Sequence, residues 1–216
     1  MDDSADRTQL TSTLDDAEFE GRDFADVQLA GSRWAGAAFT DCSFRDADLA
    51  GLITEFVTFT ECDFTGAVLT ESEHSGSAFR NCHFEYTALW GSTFRNSSFL
   101  GSVFDQSRLR PVTLDEVDFT LTVLADADLR KVDFSGCRMR ETSLVGTDLR
   151  ESVLAGADLS GARVSGVKLA GADLRGARVD PTLWTTAKLS GAHVDVDQAL
   201  AFAAAHGLSV GAAASR

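Results

Sequence analysis

Apolar residues return every five positions along most of this chain. Positions whose numbers end in 4 or 9 run from Leu14 to Val194, and 35 of these 37 are apolar, with Thr54 and His74 as the exceptions. Two residues earlier, positions ending in 2 or 7 are almost all Ala, Ser, Thr, Cys or Val, with Arg22 and Leu52 as exceptions. A third register, ending in 1 or 6, holds all 16 glycines that precede Gly207. Between Ser12 and Asp195, Arg22 is the one charged residue in the first two registers. A helix repeats at 3.6 residues and a strand at 2, so a sustained period of five requires a short extended piece followed by a turn. Two side chains of each unit point inward and three outward. Glycine at a fixed phase implies a turn with positive φ or a close backbone approach. A single unit cannot bury its Phe or Leu, so the units must stack as a solenoid.

The unit small–x–Leu/Phe–x–Gly, as in Ala157-Asp158-Leu159-Ser160-Gly161 and Ala172-Asp173-Leu174-Arg175-Gly176, resembles the pentapeptide-repeat family. The resemblance covers residues 12–194. It implies an all-β solenoid, a right-handed quadrilateral β-helix with four units in each 20-residue coil. Columns 20 apart should then match. Leu29, Leu49, Leu69, Leu89 and so on to Leu189 form a leucine column, and Phe19, Phe39, Phe59, Phe79, Phe99 and Phe119 a phenylalanine column. Phe24, Phe44, Phe64, Phe84 and Phe104 form a third, while Leu14, Trp34, Thr54, His74, Phe94 and Leu114 form a mixed fourth. At a sheet spacing of about 4.8 Å, about nine coils make a rod on the order of 43 Å long. Residues 1–11 read as a flexible tail and 12–194 as the β-helix. In residues 195–216, the stretch 195–206 reads as a short α-helix, capped by Asp195 or Asp197 and stopped by Gly207. Such a helix suits the end of a solenoid, whose last coil exposes apolar side chains and unpaired backbone.

Charge narrows the function. The chain has 216 residues, with 19 Lys+Arg against 33 Asp+Glu, a formal net charge of −14. This argues against a generic nucleic-acid binder, which needs a basic footprint, and against a polybasic membrane anchor. The acidic start MDDSADRTQ has no signal-like apolar region, and no apolar run reaches the length of a membrane span, so a cytoplasmic location is expected, with neither a membrane nor nucleic acid as a direct partner.

The candidate chemistry is sparse. Cys42, Cys62, Cys82 and Cys137 all occupy the small inward register, which makes them reduced packing residues rather than metal ligands. His74 sits in a core register above Thr54, which points either to a polar pocket in that face or to a local bulge or hydrogen-bonded pair. No phosphate loop, dinucleotide fingerprint or triad is present, and no enzyme activity, cofactor or metal is expected.

The register also places the surface charge. Each outward residue belongs to one of four faces, named by its inward column. The Leu14, Phe19 and Phe24 faces carry net −6, −4 and −5, and the Leu29 face +2. The Phe24 face has acids on every coil through the sixth: Asp23, Asp26, Asp46, Asp63, Glu85, Asp105 and Asp126. Asp115 and Glu116 on the Leu14 face join them as candidate partner-binding residues. Duplex DNA carries one charge per roughly 1.7 Å of axis, and the three acidic faces together hold roughly one net charge per 3 Å of rod.

Length, near-continuous repeats and the ending Asp197 to Leu208 make the chain similar to the mycobacterial-type fluoroquinolone-resistance proteins within the family. That resemblance implies an acidic homodimer joined at its C-termini, here through Leu200, Phe202, Leu208 and Val210. It also implies binding to DNA gyrase in place of DNA, countering gyrase poisons. A second reading is a scaffolding repeat that binds another protein through its rod faces, with Tyr86 and Trp90 as aromatic anchors.

Overall fold

The computed structural model describes residues 10–211. The expected N-terminal tail lies outside the described residues except for residues 10 and 11, as do residues 212–216. The described chain is a right-handed quadrilateral β-helix closed by two short helices near the C-terminus.

All strands are three residues long and pair in parallel with the residue 20 positions on. One sheet stacks β1 (Thr13–Asp15), β3 (Arg33–Ala35), β5 (Ile53–Glu55), β7 (Glu73–Ser75), β10 (Thr93–Arg95) and β12 (Thr113–Asp115). A second stacks β2 (Glu18–Glu20), β4 (Ala38–Thr40), β6 (Thr58–Thr60) and β8 (Ala78–Arg80); a third pairs β9 (His83–Glu85) with β11 (Val103–Asp105). Isolated bridges with the same spacing continue the ladder to Asp173↔His193. The 20-residue columns read from the sequence are therefore the sheet register: Trp34 pairs with Thr54, Phe39 with Phe59, and Phe84 with Phe104.

Inside the first half, the phenylalanine columns stack as rings. Phe39 lies 5.0 Å from Phe59 with an 8° interplanar angle, and Phe64 lies 5.1 Å from Phe84 at 3°. Rings of neighbouring columns meet edge to face, as Phe39 and Phe44 do at 5.3 Å and 74°. Both arrangements suit the aromatic quadrupole. The cysteines pack as the register requires: all four are free and buried, and burial raises the Cys137 thiol to about 11.

The glycine register is the turn register. From Asp16 to Gly191, every residue numbered in 1 or 6 has a positive φ except Pro111, Pro181 and Thr186. Asp, Asn and Glu share this role with glycine, and an acid there leans over the glycine one coil on. The carboxylate of Asp46 fills the space that a Cβ at Gly66 would occupy, and Asp126 does the same at Gly146. Proline cannot adopt positive φ, so both prolines interrupt the turn pattern. Pro111 follows a cis peptide bond. Pro181 opens α1 (Pro181–Thr186), a helix that the unbroken five-residue period does not predict. Proline at the first helical position sacrifices a donor that has no partner in any case, and Leu183 and Trp184 still reach the core from this helix.

The C-terminal helix, α2 (Val196–Ala205), lies where the sequence places it. Asp195 is its N-cap in a reciprocal capping box with Gln198, and Gly207 follows its C-cap with φ +77. The two helices also finish the ladder. Along the rod a turn N–H donates to the carbonyl 19 residues on, as Gly171 does to Ser190. Where the helices begin, side chains take over: Gly161 N–H donates to the Asp180 carboxylate and Gly176 N–H to that of Asp195. Gln198, nearly fully buried, donates its amide to the carbonyls of Leu174 and Ala177. Backbone groups that another coil would satisfy are thus satisfied without one.

Candidate protein-binding surface

The outward positions of the coil set the candidate site. Asp23, Asp26, Asp46, Glu85, Asp105, Asp126, Asp115 and Glu116 are all exposed, and Asp63 is half-buried. Asp26, Asp46, Glu116 and Asp126 sit at positive-φ corners, which fixes their backbones outside the sheets. The acids predicted for the Phe24 face do share one side of the rod, because β9 and β11 and the bridges Asp23↔Ser43 and Ser43↔Asp63 stack them in register. Asp115 and Glu116 lie on the six-stranded sheet side instead.

The important detail is neutralisation. Glu85 and Asp105 are directly opposite each other in the β9–β11 pair, an arrangement that destabilises a sheet when both residues carry the same charge. Among the described residues neither forms an ion pair, whereas Asp63 is paired with Arg45 at 2.8 Å. The Leu29 face handles the same problem differently. There Asp128 and Asp148 also stack in register, but each holds an arginine two residues on in a two-pronged contact. Arg130 Nε and Nη2 donate to Asp128 at 2.9 and 2.8 Å, and Arg150 Nε and Nη2 to Asp148 at 2.8 and 2.6 Å. Arg110 adds a third guanidinium, donating to Asp128 Oδ2 at 2.6 Å. The Arg130 and Arg110 hydrogen bonds hold the Asp128 carboxyl well below the usual carboxylate range. Asp173, bonded to Arg175 in the same way, falls to about 2. These Asp-x-Arg contacts escape the period-five reading; the signal for them is the repeated Asp-Leu-Arg triplet.

The aromatic anchors of the second reading are on the surface: Tyr86 is 61% exposed and Trp90 41%. Sequence reasoning missed Phe56, which is 73% exposed at φ +55 with its ring laid over Gly76. Its outward position is visible in the register, since it and Phe202 are the phenylalanines outside the core column.

At the C-terminus, Leu200, Phe202, Leu208 and Val210 are all exposed, together with Val194 and Val196. A groove of about 540 Å³ beside them is lined by Trp184, Leu189, Val194, Phe202 and His206 among others. Trp184 meets Phe202 edge to face at 6.3 Å, so α1 supports the groove from below. His74, by contrast, makes no surface pocket: it is sealed in the core and hydrogen-bonded to Thr54.

Comparison with known proteins agrees with this geometry. The family description "Pentapeptide repeats (8 copies)" matches residues 23–52 and 55–85, and "Pentapeptide repeat region" matches residues 88–164. Together they cover well over half of the chain, which belongs to the pentapeptide-repeat family. A trypsin-treated variant of QnrB1, a plasmid-mediated fluoroquinolone resistance protein, superposes with a TM-score of 0.68 at 19% identity, covering 92% of this chain and 99% of that one. Full-length QnrB1 gives 0.64 at 18%, covering 91% and 100%. HetL, a pentapeptide repeat protein involved in heterocyst differentiation regulation from the cyanobacterium Nostoc, gives 0.39 at 21%, covering 83% and 87%. No curated protein sequence matches the chain significantly. No helix among the described residues is long and apolar enough to cross a membrane.

Proposed function

We propose that this protein is a non-enzymatic mimic of DNA that binds the DNA-binding surface of gyrase and counters gyrase poisons such as fluoroquinolones. One observation carries the reading: on the Phe24 face, Glu85 and Asp105 are stacked in register without a cation between them. A fold that neutralises such a stack on its Leu29 face leaves this one charged. A rod with exposed carboxylates that form no ion pair, repeated at the sheet spacing, presents a basic groove with a field like that of a phosphate backbone. The fold shared with QnrB1 over nearly the whole chain supports the same reading.

In this account two rods join at their C-termini. Exposed Leu200, Phe202, Leu208 and Val210 lie beside the groove of α1 and α2, and their isologous pairing in this account matches a two-fold enzyme. Phe202→Asp is expected to convert the dimer to monomer in light scattering; a variant that stays dimeric contradicts this arrangement. The functional test is DNA supercoiling by purified gyrase across a titration of this protein, with and without a fluoroquinolone. Inhibition of supercoiling, or rescue from drug-induced cleavage, is expected, and no effect of either kind overturns the reading.

The exposure of Tyr86 and Trp90 on one coil favours a second reading, a scaffold that holds another protein by aromatic anchors. Trp90→Ala separates the two: it abolishes capture of a scaffold partner and leaves the gyrase effect intact.

A further inference from the structure

The core holds a histidine-centred polar assembly that the surface function does not use. Thr54 replaces an aromatic or leucine in the mixed inward column, and His74 lies one coil above it. Leu52 stands in the register that holds small residues at nearly every other unit and is fully buried, so within one unit the large and small side chains have changed places. The space beside Thr54 is occupied by imidazole. His74 Nδ1 lies 2.7 Å from Thr54 Oγ1, and Nε2 lies 2.8 Å from Ser72 Oγ. Thr54 Oγ1 is also 2.8 Å from Ser77 Oγ, and Ser72 Oγ donates to the Leu69 carbonyl at 2.7 Å. The ring is stacked on Phe94 at 4.7 Å and meets the Phe79 edge at 5.2 Å. Thr54, Ser72, His74 and Ser77 are all at most 1% exposed.

Among the described residues no charged group faces this ring. Its own strand, β7, carries Glu73 outward, β5 carries Glu55 outward, and β10 carries Arg95 outward; all three are solvent-exposed. From β8 the inward side chain is Phe79. Every contact made by the two ring nitrogens is to a hydroxyl. Hydroxyls can satisfy a neutral imidazole, one nitrogen donating and the other accepting, but cannot supply the counter-charge that an imidazolium needs in a dry core.

We propose that the Thr54–His74–Ser72–Ser77 cluster is an acid-sensitive seam, at which the stacked coils containing β5, β7 and β10 part when the medium is acidified while the leucine-cored coils beyond residue 140 remain closed. Two facts fit together here. Solenoid coils contact only their neighbours, so a local penalty is free to open a local segment. Burial pushes His74 down to about 3, whereas a histidine in opened chain titrates near 6.5. A folded pKa below the unfolded one means that the closed form has its full stability above about pH 6.5 and loses it as pH falls toward about 3. Well inside that window each pH unit raises the open-to-closed ratio about tenfold.

Amide hydrogen exchange on the full-length protein between pH 7.5 and 4.5, corrected for the intrinsic pH dependence of exchange, reads this directly. Amides of β5, β7 and β10 are expected to lose protection by about fiftyfold between pH 6.5 and 4.5, while those of residues 142–178 change little. His74→Phe removes the titrating group and extends the stack on Phe94. It leaves Thr54 bonded to Ser77 and Ser72 bonded to the Leu69 carbonyl. This variant is expected to abolish the selective loss. Uniform loss along the rod in the natural protein, or a selective loss that survives in His74→Phe, overturns the proposal. Should His74→Phe fail to fold, the imidazole itself decides by NMR: an imidazole that titrates near 6.5 inside a fully protected rod contradicts the seam.

Discussion

The two halves of the rod solve the same structural problem in different ways. Up to about residue 108 the core is stacked phenylalanine, and the sequence holds 19 acids against 7 bases; from there on the core is mostly leucine and valine, and the sequence holds 14 acids against 12 bases. Ion pairs follow the same division. Among the described residues, Arg33–Glu55 and Arg45–Asp63 lie in the first half, whereas the second has Arg110, Arg130, Lys131, Arg138, Arg150, Arg175 and Arg178 engaged with carboxylates. Any solenoid needs polar outward positions, but this one shows that it can fill them with neutralised pairs. The unpaired acids of the first half are therefore not a requirement of the fold. They cost stability through mutual repulsion, which is the physical reason to assign them a partner.

Core truncation breaks the comparison most severely. Phe59→Ala removes a ring stacked on both sides, at 5.0 Å from Phe39 and 4.9 Å from Phe79, and is expected to cost about 3–5 kcal/mol. Leu149→Ala in the second half is expected to cost about 2–5 kcal/mol, toward the lower end because the neighbouring leucines can relax. Urea denaturation of both variants checks the order.

Acid titration sharpens the comparison by separating the halves in pH. The first half weakens below about 6.5 through His74. The Asp-x-Arg contacts act lower. With its folded pKa depressed to about 2, Asp173 contributes stability above its unfolded value, near 3.9, and loses it as pH falls toward about 2. Exchange or circular dichroism followed through both windows should show the first half responding first. A simultaneous response of both halves contradicts this division.

Smaller effects come from transplanting the pairing device. Ala50→Arg rebuilds on Asp48 the spacing found at Asp128-Leu129-Arg130, in the same column of the Leu29 face. A gain of roughly 0.5 kcal/mol or less is expected, as for other exposed pairs, with no change in gyrase binding. Glu85→Gln with Asp105→Asn relieves the stacked repulsion and is expected to stabilise the rod by a few tenths of a kcal/mol, about the scale of a cross-strand pair, while weakening the gyrase interaction.

The regular part of this fold is legible in sequence because one geometric rule repeats. Each unit carries its own inward and turn positions, so Leu29 to Leu189 and the phenylalanine columns predict the sheet register residue by residue. The breaks are less legible because they depend on single residues that oppose the rule. Pro181 stands in the positive-φ register, and α1 is the consequence. Thr54 and His74 announce an irregularity, yet the second partner of the imidazole is Ser72 and the second partner of Thr54 is Ser77, both indistinguishable in sequence from other small fillers. The candidate surface is half legible: the register places Glu85 and Asp105 on one face, but which acids are neutralised depends on side-chain reach. Phe56 shows the same limit, since its ring is seated by Gly76 on the next coil.

The most direct test of DNA mimicry is the salt dependence of gyrase affinity, measured for the natural protein and for the Glu85→Gln/Asp105→Asn variant. The account predicts that log affinity falls steeply with log salt for the natural protein and less steeply for the variant, as expected when fixed charges are removed from the interface. A slope near zero, or one unchanged by removing both carboxylates, contradicts it.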